Sequence, residues 1–442
     1  MIGNFTKNTI TTIITQALQI FLSIGISIII ARTLGPEKMG VYAIIILLPT
    51  ILITFTKFGI DSATVFYVGK KKYSPRVIFG NNIITSLLIS TFAIIIGLAV
   101  ILFFGNKVFP DIKKEYLLLS LSLIPFNLFF AFTINIFLGL QKIKKYNFIQ
   151  LLHTFIFLLL IATLLLGFHP EIKTAIIANL LAITIICIFL FFLTKKQLGG
   201  IAFHIKKSLL KKFFSYGSKI HLINILSFLH LKIDVLMINI FLNPLAVGFY
   251  FIAATSAEKI MLISRSAGRV LFSRVSSETN KKKIKKFTPI VCRNVLWITI
   301  LIAIFLFFGS RLLIILFYSE EFFKSILPFQ ILLIGMIGIS GSRILFDDLA
   351  GRGRLKAYIY INIFSVILNI ILNIILIPKL GITGAAWATT ISYIISFLGK
   401  LIIYSKISGN KIVDIIFIKK LDLKFYKNLL LSFRKKEQKI VK

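Results

Sequence analysis

Two stretches of this chain, 208 residues apart, carry the same punctuation. Leu34, Pro36, Gly40 and Tyr42 recur as Leu242, Pro244, Gly248 and Tyr250. Each set lies in a short turn between two long apolar runs. A second set of anchors follows, Gly139, Ile143, Lys144 and Tyr146 against Gly351, Leu355, Lys356 and Tyr358. A third pairs Ala175 and Ala178 with Ala385 and Ala388. Three anchors at nearly one offset require two tandem copies of one unit. Parallel repeats of this kind put an axis along the membrane normal and an even number of spans in each copy, an arrangement common among transporters.

The apolar runs supply those spans. Hydrophobic residues make up 57% of the chain and charged residues 15%, which excludes an ordinary soluble domain. A span needs roughly 20 apolar residues. Such runs lie near 10–31, 40–58, 77–104, 116–140, 146–167 and 174–194, and again near 213–241, 246–268, 287–309, 325–346, 358–377 and 381–405. The expected architecture is an all-α polytopic membrane protein of about 12 transmembrane helices. It forms two six-helix lobes, residues 1–205 and 206–405, followed by a basic amphipathic tail over 406–442 suited to an anionic inner leaflet. The net charge of +37 invites a nucleic-acid reading, but Lys and Arg concentrate in the loops after even-numbered runs. The positive-inside rule then places those loops and both termini in the cytoplasm, so the charge is mainly a topology signal. The first run is too long for the apolar core of a cleavable signal. Cys187 and Cys292 fall inside apolar runs and read as core residues.

Polar groups at bilayer depth are costly and normally face a cavity or a partner. In the first run Asn8, Thr12, Gln16, Gln19, Ser23 and Ser27 follow helical steps and form one stripe. Thr50, Thr54, Lys57 and Asp61 do the same in the second. The eighth run carries Glu258, Arg265 and Arg269 on one face, and a shift of 208 superposes Thr50, Lys57 and Asp61 on them. The seventh run shows His221, Asn224, Lys232 and Asn239 on one face, with His230 and Asp234 roughly opposite. Lys232 and Glu258 stand 11 and 12 residues from the turn Asn243–Ala246, which places both about 16–18 Å deep. Pairing of Lys232 with Glu258 or with Asp234 fits that depth. The cavity candidates are therefore Gln16, Gln19, Lys57, Asp61, Asn224, Lys232, Asp234, Glu258, Arg265 and Arg269. Competing structural roles are lipid-phosphate snorkelling for the arginines and helix–helix glue for the amide stripe. The histidines read as packing residues. Asp347 and Asp348 read as a solvated turn beside Gly351–Arg354, with Arg352 and Arg354 as topological charges. No catalytic or metal-ligand constellation emerges, so the chain reads as a non-enzyme without a cofactor.

These residues also carry a family resemblance. Ala31-Arg32-Thr33-Leu34-Gly35-Pro36 with Gly40-Val41-Tyr42 is similar to the signature of polysaccharide-biosynthesis flippases (O-antigen and capsule type). These flippases move lipid-linked oligosaccharide and belong to the multidrug/oligosaccharidyl-lipid/polysaccharide (MOP) exporter superfamily. Supporting stretches are Phe58-Gly59-Ile60-Asp61, Gly139 to Asn147, Asp234 with Val247-Gly248-Phe249-Tyr250, and Asn369 to Ala388. The resemblance implies a multi-pass protein of the bacterial cytoplasmic (inner) membrane with a cavity that opens alternately to the two sides. The implied substrate is an undecaprenyl-diphosphate-linked oligosaccharide. Lys57, Lys232, Arg265 and Arg269 would meet the diphosphate; Gln16, Gln19, Thr50 and Asn224 would meet sugar hydroxyls. Implied partners are membrane lipids, a coupling ion (proton or sodium) and polymerase or chain-length proteins, with no nucleic acid. Two alternatives stand beside it: an ion-coupled multidrug exporter, and a membrane polysaccharide polymerase or ligase. The polymerase reading lacks the large outward loop such enzymes carry.

Overall fold

A computed structural model describes residues 2–168, 170–203, 207–277, 281–419 and 422. Most of the tail expected to lie on the membrane, residues 420, 421 and 423–442, falls outside the described residues, as does the side chain of Asn8. The described elements are helices: α1 (Ile2–Thr56), α2 (Ile60–Gly69), α3 (Pro75–Val108), α4 (Lys114–Leu121), α5 (Leu123–Gly139), α6 (Ile143–Gly167) and α7 (Ile172–Leu198). There follow α8 (Lys207–Phe241), α9 (Pro244–Ala257), α10 (Met261–Ser277), α11 (Lys281–Tyr318), α12 (Ile326–Gly351), α13 (Leu355–Ser408) and α14 (Ile412–Ile416). Ten of the described helical stretches are long and apolar enough to cross a membrane. The protein is an all-α polytopic membrane protein. Large apolar side chains point outward from these helices, Phe103 at 78% exposure and Phe308 at 82%, as a lipid-facing surface requires.

Each of the twelve apolar runs falls on a helical segment, because the two longest helices are broken. Helix α1 bends at Gly35 (φ 72°) and α13 at Gly381 (φ 61°). Gly35 takes the left-handed conformation at no steric cost, and Pro36 then starts the second limb without a wasted donor.

Two compact units organise the chain. The first comprises Met1–Ala253, Leu312–Ile326 and Asn373–Ala385. Within it the two copies of the repeated turn meet face to face. A methyl group on Gly40 would overlap the carbonyl of Pro244 and stand 2.7 Å from the amide nitrogen of Gly248. One on Gly248 would overlap the carbonyl of Pro36 and stand 3.2 Å from the nitrogen of Gly40. The contact is reciprocal, as a pseudo-two-fold demands. A second reciprocal pair flanks it. Arg32 Nε donates to the Phe317 carbonyl at 3.0 Å, and Arg32 Nη2 donates to the Leu316 carbonyl. Asn239, 207 residues after Arg32, donates to the carbonyl of Val108, which is 208 residues before Leu316, at 3.0 Å. Each copy thus caps the C-terminal carbonyls of the third long helix of the other.

The second unit comprises Ala254–Arg311, Leu327–Leu372 and Ala386–Lys442. Small residues let α12 approach the second limb of α13: Gly335 against Thr390, Gly338 against Ile394, Gly341 against Phe397. Around them Leu271, Leu296, Ile344, Leu345, Phe397 and Tyr404 form a buried cluster with Cys292. The repeat is legible here too. Gly351 packs with its Cα side against Val275 and the Phe272 carbonyl. In the first unit Gly139 packs in the same way against Val68 and the Val65 carbonyl. Helix α13 runs to Ser408, three residues into the segment expected to be tail. The strand of chain that follows is strapped to α11. Arg293 holds Asp422 through both carboxylate oxygens, at 2.5 and 2.7 Å, and the Asp414 carbonyl at 3.0 Å. Trp297 Nε1 donates to the Ile416 carbonyl at 3.1 Å.

Two expectations follow. Gly40→Leu or Gly248→Leu should each cost more than about 3 kcal/mol, read as a fall in the unfolding midpoint in detergent, because backbone must move to admit the side chain. Gly105, with open space around its Cα, should accept Ala within about 1 kcal/mol. For the strap, burial opposes ionisation of Asp422, but the Arg293 guanidinium and the Lys419 amide outweigh it and hold the carboxyl below its usual range. A carboxyl depressed on folding stabilises above its unfolded value, near pH 4, and that contribution disappears as pH falls through the folded value. Proteolysis of the segment after Ser408 should therefore be slow at neutral pH and accelerate below about pH 4. Asp422→Asn should be cleaved quickly at both; equal rates for the variant and wild type at neutral pH would show that the strap carries no stability.

Candidate functional site

In the first unit, charge gathers where α1 ends. Phe58 and Gly59 turn the chain through positive φ (46° and 69°) into α2, and Gly59 lies directly on the backbone of Gly217 in α8. That turn brings Lys57 Nζ within 3.1 Å of Asp61 Oδ2, with both side chains about one-fifth exposed. Asp61 Oδ1 also accepts the Ser62 amide at 2.8 Å, in the first turn of α2 where an anion is favoured. His221 of α8 reaches the Phe55 carbonyl at 3.0 Å and lies against the Phe58 ring. Lys57 is thus a cation already matched across the turn that joins α1 to α2.

The other candidates of this unit are placed as follows. Gln19 donates to Gln150 of α6 at 3.4 Å, and Thr12 accepts from Asn147 of α6 at 2.9 Å. At those positions the amide stripe joins two helices. Gln16, Asn224 and Lys232 are half-buried. Asp234 is buried; it accepts the Tyr250 hydroxyl and, through Oδ1, the Val235 amide at 3.0 Å. Asp234 therefore anchors the repeated Gly–x–Tyr motif of α9 onto α8, a role the sequence pattern alone did not reveal.

In the second unit, Glu258 opens a one-turn 3₁₀ segment between α9 and α10. Such a turn within a long helical stretch marks a local bend. Arg265 and Arg269 follow, four residues apart on one face of α10 and both exposed. Asp347 and Asp348 are not a solvated turn. They lie inside α12, 5% and 0% exposed. Asp347 rests on Gly268 of α10, where a methyl group would overlap its Oδ2, and it accepts Arg343 Nε at 3.1 Å. Asp348 accepts Arg352 Nε at 2.6 Å and the Thr288 hydroxyl at 2.6 Å. The opposite charges at i,i+4 in Arg343–Asp347 and Asp348–Arg352 were the available signal, since they continue a helix rather than end it. Lys400 was also missed. It lies inside the run 381–405, is 2% exposed, and donates to Ser342 Oγ at 2.5 Å.

Comparison with known proteins bears on the whole arrangement. A family model described as polysaccharide biosynthesis protein matches residues 29–327. An uncharacterised membrane protein of Methanocaldococcus jannaschii is 23% identical over 88% of this chain and 82% of its own length. A probable low-salt glycan biosynthesis flippase of Haloferax volcanii is 28% identical, over 42% of this chain and 40% of that protein. Among solved structures, a lipid II flippase in an inward-closed conformation gives a TM-score of 0.73 at 19% identity, covering 93% of this chain and 89% of that one. An inward-facing multidrug-resistance MATE transporter of the MOP superfamily gives 0.70 at 16%, covering 88% and 94%. The two likenesses show a shared fold.

The Lys57–Asp61 pair yields a direct expectation. Asp61→Asn leaves a partly enclosed ammonium and should cost about 1–2 kcal/mol. The charge-exchanged double variant, Lys57→Asp with Asp61→Lys, should recover most of that loss. A double-mutant cycle on unfolding midpoints would read the coupling, and a value near zero would mean the pair is solvated.

Proposed function

Because the chain belongs to the polysaccharide biosynthesis protein family, we propose that it is a flippase for lipid-linked glycan precursors. It carries an oligosaccharide on a polyprenyl diphosphate, undecaprenyl in a bacterial cytoplasmic membrane, from the cytoplasmic to the outer leaflet by alternating access. The glycan is an O-antigen, capsule or exopolysaccharide repeat unit.

The observation that carries this reading is the pair Arg265 and Arg269, two exposed guanidinium groups one turn apart within a membrane-spanning stretch. A diphosphate offers paired anionic oxygens, and the planar fork of a guanidinium matches them two at a time. An exporter of cationic drugs would have no use for exposed arginines in its path. By the positive-inside assignment α10 ends on the cytoplasmic side, where the substrate is made. The arginines therefore receive the head group, and half-buried Gln16 and Asn224 supply amides for sugar hydroxyls. The polyprenyl tail stays in lipid throughout. The two copies of the repeat rock about the Gly40–Gly248 crossing.

In a strain lacking the gene, single lipid-linked units should accumulate on the cytoplasmic leaflet, shielded from an impermeant sugar-modifying reagent, while surface glycan disappears. Accumulation in a reagent-accessible form would move the block after translocation and favour a polymerase or ligase. Intact surface glycan with altered sensitivity to cationic dyes would favour the drug exporter. Complementation with Arg265→Glu or Arg269→Glu should lower surface glycan about tenfold or more, and the Lys variants should retain part of the activity.

A further inference from the structure

The hairpin formed by the two limbs of α13 contains a continuous polar seam within the second unit. On the first limb Tyr358, Asn362, Ser365 and Asn369 fall on one face at steps of four, three and four, all buried. On the second limb Thr389, Ser392, Ser396 and Lys400 do the same. Contacts at both ends fix the antiparallel register. Asn369 donates to Thr389 Oγ1 at 3.3 Å and to Ser392 Oγ at 3.4 Å. At the far end the Lys400 ammonium lies 4.4 Å from the centre of the Tyr358 ring.

Between those ends, Asn362 Oδ1, Ser365 Oγ and Ser396 Oγ are fully enclosed and have no protein partner. Each of these residues is 3% exposed or less. Enclosed polar oxygens of this kind are ordinarily satisfied by ordered water. Lys400 is the one buried lysine among the described residues, and none of their ion pairs includes it. Nearby charges are committed elsewhere: Arg343 to Asp347 and Arg352 to Asp348 on α12, and Arg293 on α11 to Asp422. On α13 itself the other titratable groups with described side chains are Tyr358, Tyr360, Tyr393 and Tyr404 with Lys379 and Lys406, and Arg269 of α10 acts electrostatically on Asp347. An enclosed cation without a carboxylate is costly, and a lysine, unlike an arginine, has the option of releasing its proton.

We propose that the seam holds a file of water, and that Lys400 binds and releases one proton through it, switching the protein between its two access states. The step is a simple protonation: the neutral amine takes a proton from bulk water by way of the seam and returns it along the same path. This rests on the transporter reading above and makes the balance between its access states depend on pH.

The test needs no glycolipid, so its failure is separate from failure of the proposed function. Wild type, Lys400→Met and Lys400→Arg are compared in nanodiscs, the Arg variant showing that a cation of similar reach preserves the fold. Potentiometric difference titration between about pH 6 and 9 should show wild type binding about one proton per chain that both variants lack, where an ordinary lysine would stay charged. In parallel, a cysteine at exposed Thr50 is labelled with an impermeant thiol reagent, the native Cys187 and Cys292 being buried. Divided by the rate for the same cysteine in the denatured chain at each pH, which removes the change in thiolate fraction, its labelling rate should change several-fold with pH in wild type and stay flat in both variants. No proton difference would overturn the site. A proton difference with unchanged pH-dependent labelling in the variants would overturn its role as a switch.

Discussion

The crossing of Pro36–Gly40 against Pro244–Gly248 determines how the two copies of the repeat can be joined. Each glycine lies on a carbonyl of the opposite copy, so neither helix can move closer or accept a side chain. In a membrane, where lipid tails compete equally for apolar surface, such close backbone approach is what holds helices together. The flanking Arg32 and Asn239 contacts then satisfy carbonyls at the ends of α11 and α3 that no backbone donor reaches. Glycine sets the distance, and side-chain donors seal the neighbouring helix ends.

The repeat was legible because turn chemistry is local. Gly35 with φ 72° followed by Pro36 is dictated by backbone sterics, and at the second copy Asn243 before Pro244 starts α9 by accepting the Ala246 amide at 2.9 Å. Helix existence followed from apolar length. The reciprocal contact between copies was not legible, because equivalence in sequence says that two segments are alike without saying that they touch. Likewise, the Gly139–Val68 and Gly351–Val275 contacts give a packing reason for the second anchor that spacing alone could not supply.

Polar residues were legible as faces and less so as partners. The stripe of α1 was correctly periodic, yet Thr12 and Gln19 are partly used on α6. Asp234 was read as a partner for Lys232, while Tyr250, whose hydroxyl it accepts, was noted only as punctuation. Asp347 and Asp348 were misassigned because Gly351 and Gly353 just beyond them suggested a loop. Helix α12 continues to Gly351, and three charged residues find neutralising partners before it ends.

Those partners suggest a way to separate structural from functional charge in a chain of this kind. Lys57–Asp61, Arg343–Asp347 and Asp348–Arg352 are all i,i+4 pairs within one stretch of chain. Such charges can be neutralised locally, as the helix forms for the two α12 pairs and as the α1–α2 turn forms for Lys57–Asp61, which lowers the cost of placing them in the bilayer. Arg32, Lys232, Arg265, Arg269, Arg293 and Lys400 have no acidic residue three or four positions away. Each must be balanced by something other than its own helix turn. For Arg32 it is the carbonyl end of α11, and for Arg293 it is Asp422 of the strap. Arg269 acts electrostatically on Asp347 of α12; for Arg265 the balancing group proposed here is the substrate diphosphate, and for Lys400 it is loss of the charge itself. A cation that its helix leaves unbalanced is retained only if its partner arrives from elsewhere, and in a transporter the partners that arrive and leave are the cargo and the coupling ion.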